Sequence, residues 1–209
     1  MARERISLAI AKGRILEQVL WLMDKSGYST TKIRAASREL VVDLDELRIL
    51  ICNPADVPKY VELGAADCGI VGSDCIIEAG CDVYEPLSLP IGECKMVLAC
   101  RKEKELDLTA GSMLTIGTKY TNITRKFFET INIFPEIIYL SGSVELAAVI
   151  GLADGIVDIT ETGETIKKNN LKIIKTIQNI NCKFIVNKSS QKTLGDEINS
   201  LASAFVKQK

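Results

Sequence analysis

The sequence predicts an α/β protein with mainly parallel strands, folded as two lobes with a cleft between them. Strand-like apolar runs alternate with helix-like patterns almost throughout the 209 residues, which is typical of βαβ units. Two long strand patterns, near Lys95–Cys100 and Cys182–Val186, suit crossovers between lobes. We expect lobe I to comprise residues 1–93 and 183–209, and lobe II residues 94–182. Ligands of such folds bind at the carboxyl ends of the strands.

The first half of the chain divides at clear turn signals. The firmest of these are Gly27, where a helix stops, and Asp45–Glu46, near which a hairpin is joined. Asp56 can also cap a helix that has Pro58 in its first turn. The predicted strands are Ile6–Ala11, Leu40–Leu44, Leu47–Cys52, Cys68–Val71, Val83–Leu87 and Lys95–Cys100. The predicted helices run from Ile15 to Lys25, from Asp56 to Gly64 and from Asp74 to Ala79.

The second half begins after a polar stretch, Lys102–Asp107, and repeats the alternation of strands and helices. Amphipathic spacing indicates the helices, and short apolar runs indicate the strands. The predicted strands are Leu114–Thr118, Ile137–Leu140, Ile156–Thr160 and one or two within Leu171–Val186. The predicted helices are Thr121–Ile131, Val144–Ile150, Ile166–Asn170 and Leu194–Val206.

The composition excludes several classes of function. Apolar residues make up 47% of the chain and the net charge is −1, so no basic footprint favours nucleic-acid or membrane binding. The early apolar run Ile6–Ala11 is too short for a signal-peptide core or a spanning helix, and we expect a cytoplasmic protein. The seven cysteines form no C-x-x-C pair and histidine is absent. We therefore predict no zinc site and no histidine base.

One segment, Asp154–Thr165, carries the strongest chemical signal. Apolar residues lead through a strand into a Thr- and Gly-rich turn before a short helix. Backbone N–H groups and Thr hydroxyls in such a turn can bind an oxyanion, and Gly163 lets the backbone approach it closely. Asp154 and Asp158 lie just upstream and could accept hydrogen bonds from sugar hydroxyls. The pattern suits a phosphorylated sugar, although an ordinary β-turn-α connection would look the same.

A second anion site is indicated at Lys12–Gly13–Arg14, which follows the first strand and opens the first helix. Two cations and a glycine at a helix start can hold a phosphate, although a charged surface turn would have the same residues. Two phosphate-suited turns, each at a strand end, fit a substrate with phosphate at both ends.

Further candidates follow other strands. Ser143 could cap a helix, or it could hold a ligand while Glu145 meets ribose hydroxyls or a metal. Lys119 and Tyr120 belong to a polar strand end that could equally be an ordinary loop. Arg38, beside the hairpin, would by default form surface salt bridges.

Together these segments resemble the short-form catalytic subunits of the ATP phosphoribosyltransferase family. The motifs that carry the resemblance, in chain order, are Lys12–Gly13–Arg14, Asp56–Val57–Pro58, Gly64–Ile70, Gly72–Ser73–Asp74, Thr118–Lys119–Tyr120, Gly142–Ala147 and Gly151–Thr165. Any one of these motifs is weak, but so many in one order are specific.

The resemblance implies a fold like the type II periplasmic binding proteins and a defined reaction. ATP and phosphoribosyl pyrophosphate (PRPP) would give N1-(5-phosphoribosyl)-ATP and pyrophosphate, with magnesium, as the first step of histidine biosynthesis. The sequence ends at Lys209, soon after the closing helix, so we expect no regulatory domain of the long-form relatives. Short forms work with a regulatory subunit that resembles histidyl-tRNA synthetase, and we expect a hetero-octamer.

The resemblance also implies roles for individual residues. Arg14, Arg38 and Asp158 would be catalytic, with Arg14 on the leaving pyrophosphate, Arg38 on phosphates and Asp158 near the ribose. The residues expected to bind substrate are Lys12, Gly13, Asp74, Lys119, Tyr120, Ser143, Glu145, Asp154, Glu161, Thr162, Gly163, Glu164 and Thr165.

Two positions depart from the family pattern. Asn53 stands where the family usually has a basic residue, which puts a phosphate contact from that position in question. Ala148 replaces a proline at a helix start, where we expect a mild effect.

Two other classes stay open on the residues alone. A solute-binding protein could have this fold without catalysis, although such proteins are usually exported. An ordinary PRPP-dependent base transferase would show two adjacent acids before its Thr-Gly turn, whereas Asp154 and Asp158 are four positions apart.

Overall fold

The computed structural model describes residues 5–36 and 39–206. The chain divides into two compact units: unit 1 is Met1–Gly92 with Asn181–Lys209, and unit 2 is Glu93–Ile180. Strands and helices alternate through both, so the predicted α/β class is confirmed. No helix within the described residues is long and apolar enough to cross a bilayer.

The elements are labelled in chain order. They are β1 (Ile6–Ala11), α1 (Arg14–Lys25), α2 (Thr31–Ala35), β2 (Val41–Asp43), β3 (Leu47–Cys52), a 3-10 turn (Pro54–Asp56), α3 (Val57–Glu62), β4 (Cys68–Gly72), α4 (Ser73–Ala79), β5 (Tyr84–Arg101), β6 (Thr115–Thr118), α5 (Thr121–Glu129), β7 (Glu136–Tyr139), α6 (Glu145–Val149), β8 (Gly155–Thr160), α7 (Glu164–Lys168), β9 (Leu171–Val186), α8 (Lys188–Thr193) and α9 (Gly195–Val206).

In unit 1 the strand order is β2-β3-β1-β4-β9. Strands β3, β1 and β4 are parallel, with Ala11 opposite Cys52 and Ile10 opposite Ile70. Strands β2 and β9 are antiparallel to their neighbours β3 and β4. Because β1 lies between the other two parallel strands, its carboxyl end is in the middle of a polar edge of this sheet.

The burial of β1 explains why its sequence is a continuous apolar run. Leu8 and Ile10 pack into one cluster of buried side chains, whereas Ala9 and Ala11 pack into another. Strands covered on both faces need apolar residues at every position, not at alternate ones. Small residues keep the second cluster tight: a Cβ on Gly69 would lie 2.9 Å from a side-chain carbon of Val57 and 2.9 Å from one of Val61, both in α3.

In unit 2 the strand order is β5-β8-β6-β7. Strands β8, β6 and β7 are parallel, and β5 is antiparallel to β8. Two buried clusters again include alternate residues, with Met96 and Leu98 in one and Ala99 with Ile156 in the other.

The two units follow the same path. In unit 1 the chain runs from β1 out to β3 and then back past β1 to β4. In unit 2 it runs from β6 out to β7 and then back past β6 to β8. The direction of winding therefore reverses between β1 and β4 and between β6 and β8. Ligands of open α/β sheets bind beside the carboxyl ends of the strands at such switch points.

Several predicted elements differ in the structure. The separate strands Val83–Leu87 and Lys95–Cys100 are one strand, β5, which continues through Pro90 and through Gly92, whose φ is +70°. The helix predicted at Ile166–Asn170 begins two residues earlier, at Glu164. The closing helix is preceded by α8, whose start is capped because Asn187 Oδ1 accepts the N–H groups of Ser189 and Ser190.

Candidate active site

Three polar segments of unit 2 meet at the carboxyl ends of its parallel strands. Thr118 at the end of β6 is in register with Val157 of β8 on one side and with Tyr139 of β7 on the other. The residues after these strands therefore leave the sheet at one edge. Of the predicted site residues, Asp158 lies within the last half of β8, and those that follow these strands are Glu161, Thr162, Gly163, Glu164, Thr165, Lys119, Tyr120, Ser143 and Glu145.

The turn Glu161–Thr165 after β8 has an irregular backbone that glycine makes possible. Gly163 precedes α7 with φ at +78°, in the left-handed region, and a Cβ there would meet only Ile173 at 3.9 Å. Its N–H donates to Thr160 Oγ1 at 3.0 Å, and the N–H of Glu164 approaches Thr162 Oγ1 at 3.4 Å. The turn thus gathers amide groups and hydroxyls. The side chains of Thr162 and Thr165 are exposed.

The strand end after β6 is ordered by its own side chains. Tyr120 is 4% exposed, and Lys119 Nζ lies 4.7 Å from the centre of its ring. This cation–π contact holds the ammonium group close to the strand end. The structure therefore places a partly buried cation at the end of β6, next to β8, the strand that the turn Glu161–Thr165 follows.

The loop after β7 differs from the sequence prediction in one detail. Ser143 is not the cap of α6: Val144 holds that position and the helix shows no side-chain capping bond. Ser143 instead has φ of +48°, which is unusual for a residue other than glycine. Its carbonyl accepts the N–H of Leu146 at 3.0 Å. The residue with the unusual φ therefore also makes a hydrogen bond to the first turn of α6, the helix that carries Glu145.

The two aspartates of the phosphate segment lie at opposite ends of β8. Asp158 is near its carboxyl end, with Oδ1 accepting the N–H of Ile159 at 2.8 Å. Asp154 precedes the strand, about 13 Å away at the usual rise per residue. There its Oδ2 accepts the N–H of Thr115 at 2.7 Å and its Oδ1 pairs with Lys104. The structure does not bring Asp154 to the edge where the turn lies.

The surroundings of Asp154 favour its ionised form. Hydrogen bonding from the Lys104 ammonium, and then from the Thr115 N–H, lowers the pKa of this carboxyl despite partial burial. Asp154 thereby fastens the loop before β6 to the start of β8. Its predicted contact with substrate stays a prediction that this placement does not favour.

The second predicted anion site lies in unit 1, at the carboxyl end of β1. Lys12, Gly13 and Arg14 are exposed, and Gly13 precedes α1 with φ at +88°. The Lys12 N–H donates to the carbonyl of Cys52 at 2.9 Å, which ties this turn to the end of β3. Lys12 and Arg14 therefore lie on a turn whose backbone is fixed by a hydrogen bond to β3.

The neighbouring strand β4 ends at a buried acid. It passes directly into α4, and Asp74 in the first turn of that helix is only 6% exposed. Because β1 and β4 are parallel neighbours, Asp74 and Lys12 follow strands that end at the same edge of unit 1. The Cys75 thiol donates to Asp74 Oδ2 at 3.6 Å.

Two other predicted positions have different outcomes. Arg38 lies outside the described residues, so its predicted role stays a prediction. Asn53 follows β3, and its side-chain amide donates to Asp56 Oδ2 at 3.2 Å. That carboxylate stands at the helix start that Asp56 was predicted to cap, but no side-chain capping bond forms there.

Sequence reasoning missed Thr118 as a separate site residue. Its hydroxyl is fully buried at the end of β6 and donates to the carbonyl of Val157 at 2.7 Å. The available signal was a hydroxyl residue at the end of an apolar strand, immediately before Lys119 and Tyr120.

A separate cavity of about 150 Å³ lies in unit 1 at the amino-terminal ends of β1 and β3. Its lining includes Tyr28, Glu46 and Leu201 and none of the predicted site residues. Burial, and then the charge of Glu46, raises the pKa of Tyr28.

The fold and these strand ends define a class: an α/β protein whose two units each present polar groups suited to phosphates at a switch point. Comparisons with known proteins identify the family. A sequence model described as "HisG: ATP phosphoribosyltransferase" matches residues 53–207. The chain belongs to the ATP phosphoribosyltransferase family, and the resemblance in its motifs is confirmed.

Several relatives match nearly end to end. An ATP phosphoribosyltransferase of Citrifermentans bemidjiense is 43% identical over 200 residues, covering 94% of each chain. That of Hydrogenobaculum sp. is 46% identical over 184 residues, covering 88% of this chain and 90% of the relative. A chain in the solved ATP phosphoribosyl transferase (HisG:HisZ) complex from Thermotoga maritima is 33% identical, with a TM-score of 0.85 and coverage of 97% and 98%.

Proposed function

We propose that the turn Glu161–Thr165 binds the 5-phosphate of PRPP in the reaction of this family. That reaction condenses ATP with PRPP to N1-(5-phosphoribosyl)-ATP and pyrophosphate, the first step of histidine biosynthesis. One observation carries the assignment of the turn: a Gly- and Thr-rich backbone turn follows β8 at the switch point between β6 and β8. Amide N–H groups and hydroxyls converging there suit a phosphate oxyanion.

The chemistry agrees with a chain that has no histidine. The nucleophile is N1 of adenine, which already has a lone pair, so no strong base is needed. The protein's task is to position two anionic substrates and to stabilise the charge that develops as pyrophosphate leaves. Asp158, near the carboxyl end of β8, would accept from the ribose hydroxyls and shield positive charge at the anomeric carbon.

The remaining residues of unit 2 would complete the sugar site. Lys119, held near the strand end by the Tyr120 ring, would supply positive charge to phosphate oxygens. Glu145 in the first turn of α6 and Ser143 before it would meet the ribose hydroxyls. These groups follow β6, which neighbours β8, and β7, which neighbours β6.

In unit 1, Lys12 and Arg14 would hold the leaving pyrophosphate. Both cations are exposed on a turn whose backbone is fixed to β3. An anion that gains charge during the reaction is stabilised more strongly in the transition state than in the ground state. These two residues would therefore contribute more to turnover than to substrate affinity.

The family uses a divalent metal, and we propose magnesium. Within residues 5–36 and 39–206, no group of three acidic, cysteine or histidine side chains gathers to hold an ion. Magnesium commonly binds through one or two carboxylates together with substrate phosphates. Oxygen ligands from Glu145 and Asp158 fit that pattern, and the ion would neutralise the charge of the pyrophosphate group.

We further propose a regulatory partner. The matched Thermotoga maritima chain belongs to a HisG:HisZ complex, and the match extends over almost all of both chains. A regulatory subunit resembling histidyl-tRNA synthetase, assembled with this chain as a hetero-octamer, would bring histidine inhibition.

The test measures pyrophosphate release from ATP and PRPP with magnesium, using the chain alone and the chain with such a partner. Formation of phosphoribosyl-ATP that depends on both substrates is the expected result. Histidine should inhibit the complex but not the isolated chain, with a coupling of about 1–3 kcal/mol. Binding of PRPP with no product under either condition would instead favour a binding protein without catalysis.

A further inference from the structure

Thr118 connects the three parallel strands of unit 2 although no part of its side chain is exposed. Its hydroxyl donates to the carbonyl of Val157 at 2.7 Å and accepts the N–H of Tyr120 at 2.9 Å. Its own carbonyl accepts the N–H of Leu140, just after β7, at 2.9 Å. A single residue thus bonds to the middle of β8, to the end of β7 and to the turn after β6.

The two bonds of the hydroxyl act on particular peptide groups. The Val157 carbonyl belongs to the peptide that leads into Asp158, and the Tyr120 N–H belongs to the peptide that joins it to Lys119. A hydroxyl has one proton to donate and lone pairs to accept with, so Thr118 holds both peptides at once. This one oxygen atom therefore adds to the pairing of β6 with β8 in setting the relative positions of Asp158 and Lys119.

We propose that Thr118 is a positioning residue for PRPP binding, which it supports by fixing the peptide groups of Asp158 and Lys119 without touching the substrate. The inference rests on the proposed function of this edge and adds a residue to it. Displacement of a binding group by about 1 Å can lower activity about 100-fold, so a buried hydroxyl behind the site can matter as much as a contact.

Thr118→Val tests the role of the hydroxyl while nearly preserving the shape of the side chain. We expect the KM for PRPP to rise about 10–100-fold, with a much smaller change in the KM for ATP. Thr118→Ser keeps the hydroxyl and loses a methyl group, and it should bind PRPP within about 2-fold of the unaltered chain. A role in packing alone predicts the opposite order, because the serine variant loses more buried volume.

Thr124 provides a matched control within the same unit. It is also fully buried, but its hydroxyl has no hydrogen-bond partner among the described residues. Thr124→Val makes the same chemical change without removing a bond, and PRPP binding should stay within about 2-fold of the unaltered chain. Unfolding midpoints of all variants, with PRPP titrations by calorimetry, separate loss of fold from loss of affinity.

The outcomes distinguish this inference from the proposed function. If the unaltered chain does not bind PRPP, the proposed function fails and the inference fails with it. If the unaltered chain binds PRPP but Thr118→Val binds it equally well, only the inference is wrong. Should the valine variant fail to fold, a loss of affinity greater than about 10-fold in a folded Thr118→Ser variant would likewise overturn it.

Discussion

Units 1 and 2 follow the same strand–helix–strand path but end their third strand differently. In unit 1, β4 passes directly into α4, and the first turn of that helix carries the buried Asp74. In unit 2, β8 is followed by Glu161–Gly163 before α7 begins. With the same topology, the third strand therefore leads directly into a helix in unit 1 and into a turn of three residues in unit 2.

The first strands of the two units differ in their cations. After β1, Lys12 and Arg14 are exposed on the surface. After β6, Lys119 packs near the ring of the buried Tyr120. The exposed cations Lys12 and Arg14 can move with pyrophosphate as it leaves. Lys119, which is held by a ring, and the ordered turn of unit 2 suit a phosphate that stays in place. We infer that unit 2 provides ground-state affinity and unit 1 provides stabilisation of the leaving group.

The largest effect is expected from the turn of unit 2. Replacing Thr162 and Thr165 with alanine should weaken PRPP binding by about 1.5–3 kcal/mol for each lost hydrogen bond to a charged group. Both side chains are exposed, so the free energy of unfolding should change little. Calorimetric titration with PRPP measures the loss.

Thr176, an exposed threonine of β9 in unit 2, is the control for that change. Thr176→Ala should leave PRPP affinity unaltered. Unchanged affinity in the Thr162/Thr165 double variant would remove the phosphate site from unit 2 and with it the division of roles between the units.

The corresponding test in unit 1 is Arg14→Ala. We expect kcat/KM to fall at least about 10-fold, or about 1.4 kcal/mol, mainly through kcat, because the leaving pyrophosphate gains charge in the transition state. Steady-state kinetics with PRPP varied gives the two constants separately. Lys192→Ala, which removes a cation of α8, should leave both constants unchanged, and a fall in affinity alone for Arg14→Ala would contradict the assigned role.

A smaller effect concerns the stability of unit 2. Asp154→Asn removes a carboxylate that accepts from Lys104 and from the Thr115 N–H, and it should lower the free energy of unfolding by about 1–2 kcal/mol. The KM for PRPP should change little, because Asp154 lies at the far end of β8. A large rise in that KM would return Asp154 to the substrate site.

The same pair predicts a pH dependence. The pKa of Asp154 is below its ordinary value of 3.8 in the folded chain, so its contribution to stability is complete above about pH 5. That contribution is lost as the pH falls through the lowered folded pKa. The difference in unfolding free energy between the unaltered chain and Asp154→Asn should therefore shrink on acidification, which urea unfolding at several pH values can measure.

The smallest effect is expected at Gly163. Its φ of +78° is costly for any residue with a Cβ, although there is space for one, so Gly163→Ala should cost roughly 1 kcal/mol of stability. PRPP affinity should fall a few-fold at most. Gly142→Ala, at an exposed glycine of unit 2 with no atom near its Cβ position, is the comparison, and equal stability of the two variants would contradict the strain argument.

Much of unit 1 could be predicted from local pattern. Strands Ile6–Ala11 and Leu47–Cys52 were predicted with the bounds that the structure has, because an apolar run between turn signals depends little on its surroundings. The hairpin of β2 and β3 is also confirmed. Strand β5 was not predicted as one element, because proline and glycine are local signals for a break and do not show that the strand resumes after them.

The candidate site was predictable in its residue types but not in its grouping. The Thr- and Gly-rich turn, the cations after β1 and the polar segments after β6 and β7 are visible in the sequence, since each follows an apolar run. The motif order alone was sufficient to indicate the family that the comparisons identify. The role of Arg38 and the metal stay predictions.

Only the tertiary structure decided which of these residues share an edge. Asp154 and Asp158 are four positions apart in the sequence, yet an extended strand separates them by about 13 Å. Thr118 and Val157 are 39 positions apart, yet a hydrogen bond of 2.7 Å joins them. Local pattern determines where strands end, because it reflects burial and turn chemistry, whereas the register between distant strands determines which strand ends act on one ligand.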